Sequence, residues 1–275
     1  MQARVASRAL RTAVDAVAMA LLAPAAPLMI AQGRRVRREA LRLPEADGPR
    51  QGLRQPPDAP RLLILGDSSA AGVGVGHQSL ALSGRLLELL VDPAIGPFGW
   101  RLIARTGVAA RDLPVLIDQQ LGAPSATGEP DMAELPPSRF DVALVVVGVN
   151  DVTSGTPIRR WIDALDRVHQ RLQAVGVRHA VFSGLPPMEH FSALPQPLRS
   201  WLGLQARRYD RALSDWCALR AGTSHLALPR LSDRSLLASD GFHPGEAGCA
   251  LWARELAPLL IPKLREARAG AGVST

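Results

Sequence analysis

Asp141-Val142-Ala143-Leu144-Val145-Val146-Val147 is an unbroken apolar run rich in β-branched residues. A run of this kind, without the alternation of a half-exposed strand, marks a central parallel strand covered on both faces. Just beyond it, Ile158–Ala174 carries Ile158, Trp161, Ile162, Leu165, Val168 and Leu172 at helical spacing, the pattern of an amphipathic helix. Upstream, Arg61–Leu65 and Trp100–Ala104 read as strands separated by a helix through Leu80–Leu90. Downstream, a strand over Arg178–Ser183, a long helix over Leu198–Leu219, a short strand over His225–Leu228 and a closing helix over Gly245–Leu264 are expected. Strands alternating with helices imply a central parallel sheet covered by helices, the α/β class.

A chain of 275 residues accommodates one domain of about 200 residues with extensions. A content of 47% hydrophobic and 21% charged residues fits a globular protein and excludes a disordered one. The formal charge of +7 rests on arginine, with Lys263 the only lysine. An anionic lipid or acidic substrate is one reading of that charge; a compositional bias toward arginine and alanine is the simpler one. Nucleic acid is not an expected partner, because no zinc-finger spacing, aromatic RNP motif or basic heptad region occurs. Cys217 and Cys249 are too few for a disulfide framework and lack CxxC spacing. Each sits in an apolar, helix-like stretch and reads as a buried thiol, with pairing left open should the domain be exported.

Four segments are expected. Residues 1–33 are hydrophobic and signal-like or membrane-associating: residues 13–31 are mostly apolar and lie between Arg4, Arg8 and Arg11 on one side and Arg34, Arg35, Arg37 and Arg38 on the other. A spanning helix needs about 20 apolar residues, and this stretch also carries Asp15, Pro24 and Pro27. A cleaved signal peptide, an anchor that spans or lies in the interface, and a helix packed on the domain all stay open, with membrane association the expectation carried forward. Residues 34–60, rich in Arg, Pro and Gly, read as a linker. Residues 61–266 are expected to form the main α/β domain, and residues 267–275, without an apolar period, a disordered tail.

Ligands of an open parallel sheet bind outside the carboxyl ends of its strands. Ser68 follows the first strand in Leu65-Gly66-Asp67-Ser68-Ser69, Gly107 the second, Asn150 the third, and Asp240-Gly241-Phe242-His243 the last. These residues are therefore expected to converge on one rim, and each type fits a role in acyl transfer. The Ser68 hydroxyl needs a base to take its proton, and His243 is one. Asp240 can accept from the imidazole and fix its tautomer. Gly107 presents a bare backbone N–H and Asn150 a carboxamide donor, with the Ser68 N–H as a third, for the negative charge that builds on the carbonyl oxygen. Leu185-Pro186-Pro187-Met188-Glu189-His190-Phe191 follows a strand, and Pro187, Met188 and Phe191 are expected to line an acyl pocket; a proline-stiffened connection is the plain alternative.

Other motifs carry less. Gly72-Val73-Gly74-Val75-Gly76 fails GxGxxG at His77 and at Ser79, and no lysine is near for a phosphate loop. The GxSxG elbow is absent around Ser68. Asp67 and Asp151 read as local braces of their turns. His77, His169, His179, His190 and His225 match no metal-ligand spacing, so neither metal nor cofactor is expected.

Taken in order, Gly66-Asp67-Ser68, Gly107, Gly148-Val149-Asn150-Asp151 and Asp240-Gly241-Phe242-His243 resemble the SGNH (GDSL-type) hydrolase family over about residues 61 to 262. The resemblance implies a three-layer α/β/α, flavodoxin-like fold and hydrolysis of esters or thioesters through an acyl-serine, without a cofactor. It implies Ser68 as nucleophile, His243 as base, Asp240 as its orienter, and Gly107 and Asn150 as oxyanion donors. Two departures stand out: Ser69 where the family has leucine, and Arg105-Thr106-Gly107-Val108-Ala109-Ala110 where it often has Asn-x-Gly-x-x-Gly. The substrate expected is a small-molecule or lipid ester, with possible membrane contact through residues 13–31. An acyltransferase or a polysaccharide O-acetyl esterase on the same site, and a non-catalytic membrane-tethered binding protein, are the alternatives.

Overall fold

In the computed structural model, which describes residues 13–52, 59–121, 140–228 and 233–271, the β-branched run lies at the middle of a six-stranded sheet. The strands are β1 (Gln51–Gly52), β2 (Arg61–Gly66), β3 (Gly99–Ala104), β4 (Val142–Val146), β5 (His179–Ser183) and β6 (Thr223–Leu226). They lie in the order β1-β3-β2-β4-β5-β6, parallel throughout except for β1, which pairs antiparallel with β3. The helices are α1 (Ala13–Glu39), α2 (Ser68–Ala71), α3 (Leu82–Leu89), α4 (Leu113–Leu121), α5 (Val149–Ser154), α6 (Ile158–Ala174), α7 (Leu198–Ala218) and α8 (Glu246–Ala271).

Side chains alternate across the sheet, so each strand feeds two cores. Leu63, Leu65, Ala143, Val145, Ala180 and Phe182 meet α4, α6 and α7 on one face. Leu62, Ile64, Val142, Leu144, Val146 and Val181 meet α3 and α8 on the other. Both faces are covered, which is why β2 and β4 lack any polar alternation. The result is the three-layer α/β/α architecture that the alternating pattern implies.

Without β1, the strand order is that of a doubly wound sheet whose direction of winding reverses between β2 and β4. Such a reversal opens a crevice at the carboxyl ends of the two strands, because the helices that follow them pass to opposite faces. Here α3, after β2, belongs to one core and α6, after β4, to the other. Ser68 and Asn150 follow those two strands directly.

Three stretches differ from the pattern-based expectation. The expected linker is attached over much of its length: Arg34–Glu39 completes α1, Ala46 is buried in a core, and Gln51–Gly52 is an edge strand. Backbone pairing and ion pairs hold it, and neither leaves an apolar period. Residues 53–58 lie outside the described residues. Helix α8 continues past Leu264 through residues expected to be a disordered tail, because Ala267 prolongs its buried face; residues 272–275 lie outside the described residues. The last strand begins two residues earlier than expected, its polar Thr223 and Ser224 included by backbone pairing with Ala180 and Val181.

Candidate active site

Strand β2 ends at Gly66, where a side chain is impossible: a Cβ there would meet the Val146 carbonyl oxygen at 2.4 Å and Ala70 Cβ at 2.7 Å. This close approach lets the chain turn straight from the strand into α2, with the Asp67 N–H donating to Val146 O at 3.1 Å. The Asp67 carboxylate caps the helix by accepting from the Ser69 N–H at 3.0 Å, an orphan donor of a first helical turn. Ser68 is thereby held at the strand end, nearly buried at 8% exposure.

His243 comes to it from the far end of the chain. The Gly241 N–H donates to Ala238 O, and the Ala238 N–H to His243 O at 2.8 Å, closing the turn that carries Asp240. His243 Nε2 lies 2.9 Å from Ser68 Oγ, and His243 Nδ1 lies 2.6 Å from Asp240 Oδ2. The other oxygen of Asp240 accepts from the Phe242 and His243 N–H groups, both at 3.0 Å. Burial pushes the Asp240 carboxyl up, but the His243 ring and those two N–H groups outweigh it and hold the pKa below the ordinary value. An ionised Asp240 facing Nδ1 leaves Nε2 free to accept the serine proton.

The other side of the rim is formed by the loop after β3. Gly107 adopts φ +83°, a left-handed conformation suited to glycine, and nothing lies within 4 Å of where its Cβ would be. The loop is tied to the segment after β4 by two bonds: Asn150 Nδ2 donates to Val108 O at 2.9 Å, and the Ala110 N–H donates to Asp151 Oδ2 at 3.0 Å. A carboxamide nitrogen has two hydrogens, so Asn150 keeps one for a ligand. Asp67 and Asp151 are both buried, and burial raises each to about 6. A serine–imidazole–carboxylate chain beside several amide donors can attack a carbonyl and hold the oxyanion that forms.

Residues 64–251 match the model of the GDSL-like lipase/acylhydrolase family. The chain belongs to that family. It is a carboxylic-ester hydrolase. No curated protein matches this GDSL-like hydrolase. Among solved structures it is similar to the lipase Lip_vut3 from a goat rumen metagenome (12% identity, 72% of this chain and 96% of that one, TM-score 0.55). It is similar also to TesA (19% identity, 74% and 99%, TM-score 0.52) and to a carbohydrate esterase family 3 structure from Talaromyces cellulolyticus (15%, 75% and 99%, TM-score 0.52). At these identities the likeness is one of fold.

Of the residues expected to line an acyl pocket, Phe191 lies beside Ser68, together with Leu185 and Pro186. Met188 instead points into the core, with no exposure, and Pro187 precedes a short 3-10 turn at Met188–His190. The turn folds the segment back, which sequence spacing alone does not reveal. Three supporting contacts went unread in the sequence. Asp210 accepts from the Leu185 N–H at 3.1 Å and pairs with His225 at 2.9 Å, fixing the pocket wall. Trp252 Nε1 donates to Ser183 Oγ at 2.9 Å beneath the same pocket. Glu45 accepts from the Thr106 N–H and hydroxyl beside Gly107. All three join residues far apart in sequence and carry no local motif.

Proposed function

We propose that this GDSL-like hydrolase cleaves carboxylic esters of short acyl chain through an acyl-enzyme on Ser68. Ser68 Oγ attacks the ester carbonyl as His243 Nε2 takes its proton, and Asp240 stabilises the imidazolium. The oxyanion accepts hydrogen bonds from the Ser68 N–H, the Gly107 N–H and the second hydrogen of Asn150 Nδ2, each worth roughly 3 kcal/mol when preorganised. His243 then protonates the leaving alcohol, and water, activated by the same imidazole, releases the acid. The observation that carries the reading is the unbroken chain from Ser68 Oγ through His243 to Asp240, at 2.9 and 2.6 Å.

The acyl preference follows from the space beside Ser68. It is walled by Val147, Val149, Leu185, Phe191 and Phe242 and has a free interior of about 30 Å³. A water-sized group needs about 10–15 Å³, so an acetyl or propionyl tail fits and a long chain has to leave through the mouth. A small-molecule or carbohydrate ester with a short acyl group is the substrate class this supports. On chromogenic esters graded by chain length, turnover is expected to fall as the acyl chain outgrows this space, and Ser68→Ala abolishes both turnover and fluorophosphonate labelling with the fold intact. Unchanged turnover in Ser68→Ala refutes the assignment.

We infer further that α1 holds the enzyme at a membrane surface and does not span the membrane. The helix is long and apolar enough to cross a bilayer, and most of its apolar stretch is exposed. Val14, Val17, Leu21 and Leu28 recur at helical intervals and face outward. Its other side docks on the domain: Asp15 accepts from Arg211, Gln32 bridges Gln196 O and the Leu198 N–H, and Arg37 donates to Thr153 O. Spanning would strip Asp15 from its arginine within hydrocarbon, a cost that interfacial binding avoids.

A further inference from the structure

The segment between α1 and β1 precedes the residues matched by the family model, yet it touches the supports of the loops that carry Ser68, Gly107 and His243. The Gly74 N–H, beyond the Ser68 turn, donates to Pro44 O, and the Ala46 N–H donates to Ala71 O at the end of α2. Buried Gln78 Nε2 donates to both Ala46 O and Ala71 O. Leu43 Cδ1 and Ala238 Cβ crowd the same face of Gly74, and Ala238 is the residue whose N–H closes the His243 turn. Between these contacts stands Glu45. Its Oε1 accepts from both the N–H and the hydroxyl of Thr106 at 2.7 Å, and its Oε2 accepts from Arg50 Nη2 at 2.6 Å. Arg50 Nη1 in turn donates to Ala104 O, the last residue of β3, at 2.9 Å.

We propose that Glu45 is a positioning residue for the oxyanion hole: by gripping both donors of Thr106 it fixes the peptide that presents the Gly107 N–H. The inference rests on Gly107 being an oxyanion donor. Its physical basis is that a glycine loses the most conformational freedom on ordering, and Arg105, Thr106 and Gly107 are all exposed. Asn150 and Asp151 hold the loop only from Val108 onward. On the near side the backbone offers only the Arg105 N–H to Gly66 O bond at 3.3 Å; Glu45 adds a hold at Thr106, and Arg50 anchors it to the end of β3. Burial raises the Glu45 carboxyl, but Thr106 and Arg50 outweigh it and keep the group below its usual pKa, so it is ionised wherever the imidazole is a competent base.

The test uses the full chain, with Glu45→Ala and Glu45→Gln compared by kcat and KM on a chromogenic acetate ester, by the rate of fluorophosphonate labelling, and by Tm. A misplaced catalytic group costs up to about 100-fold. In Glu45→Ala, kcat is therefore expected to fall roughly 10- to 100-fold, with KM within about twofold and the labelling rate falling in parallel. Glu45→Gln, whose amide oxygen still accepts from Thr106, is expected to restore kcat to within about fivefold of the parent. The proposal is overturned if Glu45→Ala keeps kcat within about twofold. It is equally overturned if Glu45→Gln falls as far as Glu45→Ala, because the ion pair with Arg50 would then be what matters. Ser68→Ala separates the two levels: an unchanged Glu45→Ala beside an inactive Ser68→Ala removes only the role of Glu45, whereas an active Ser68→Ala removes the site.

Discussion

Asp67→Asn removes a buried charge from the Ser68 turn while keeping the oxygen that accepts from the Ser69 N–H. Asp67 is 2% exposed. Burial drives its pKa to about 6; the Ser69 N–H and His243 pull it down, and the nearby Asp151 pushes it up. An unfolded aspartate titrates near 3.9, so the folded value lies higher by about 2 units, or roughly 3 kcal/mol. Because the folded pKa is raised, this stability is fully present below about pH 4 and is lost as pH climbs through about 6. The Asn variant has no charge to lose. Between about pH 4 and pH 8 the parent should therefore weaken by roughly 3 kcal/mol relative to Asp67→Asn. At about 2–4 °C per kcal/mol for a protein of this size, the gap in Tm widens by about 6–12 °C in favour of the variant. The assay is thermal unfolding followed by circular dichroism in a mild non-ionic detergent, parent and variant side by side across the pH range. A gap that stays flat, or that turns against the variant as pH rises, refutes the argument, because it means that the folded protein welcomes the charged form.

Two further outcomes can be checked cheaply. If α1 lies in the interface, the full chain floats with vesicles containing anionic lipid, and Val17→Asp with Leu21→Asp abolishes flotation while esterase activity on a soluble ester is kept; flotation unaffected by the two charges would rule out the outward stripe as the contact. Burial pushes the Cys217 and Cys249 thiols each to about 12, and they lie in the cores on opposite faces of the sheet. An aromatic disulfide reagent at neutral pH should then find no thiol in the native protein and both after denaturation without reductant, and a lower count after denaturation would reveal a disulfide.

Much of the architecture was legible because burial on both faces leaves a plain mark: Val142–Val146 has no polar residue to confuse its period, and Trp161, Leu165, Val168 and Leu172 all turn inward from one helix. The rim was legible for a different reason. Ser68, Gly107, Asn150 and His243 follow strands, and a parallel sheet sends every strand end to the same side. What the sequence hid is held by contacts without periodicity. Residues 34–52 look like a polar connection because Glu45, Arg50 and Gln51 act through side-chain oxygens, guanidinium and edge pairing, none of which requires an apolar repeat. Met188 looked like pocket lining because the 3-10 turn that swings it into the core is set by packing against α7, not by its neighbours in the chain.

The rim also explains why Asp240, among three carboxylates near the imidazole and its loops, is the one suited to partner it. All three are taken out of water, and burial alone raises each. Two things differ: Asp240 is less deeply buried than Asp67 and Asp151, and more donors replace its water. Asp67 accepts from the Ser69 N–H and Asp151 from the Ala110 N–H, a single neighbour's donor apiece, and both stay high, at about 6. Asp240 accepts from the Phe242 N–H, the His243 N–H and the His243 ring, and these reverse the shift. Donors aimed at a carboxylate stabilise its charged form, so the turn built on Gly241 keeps Asp240 in its charged form beside the His243 ring. The two other carboxylates are spent on capping the Ser68 turn and tying down the Gly107 loop, tasks for which an acceptor suffices and a full charge is a burden.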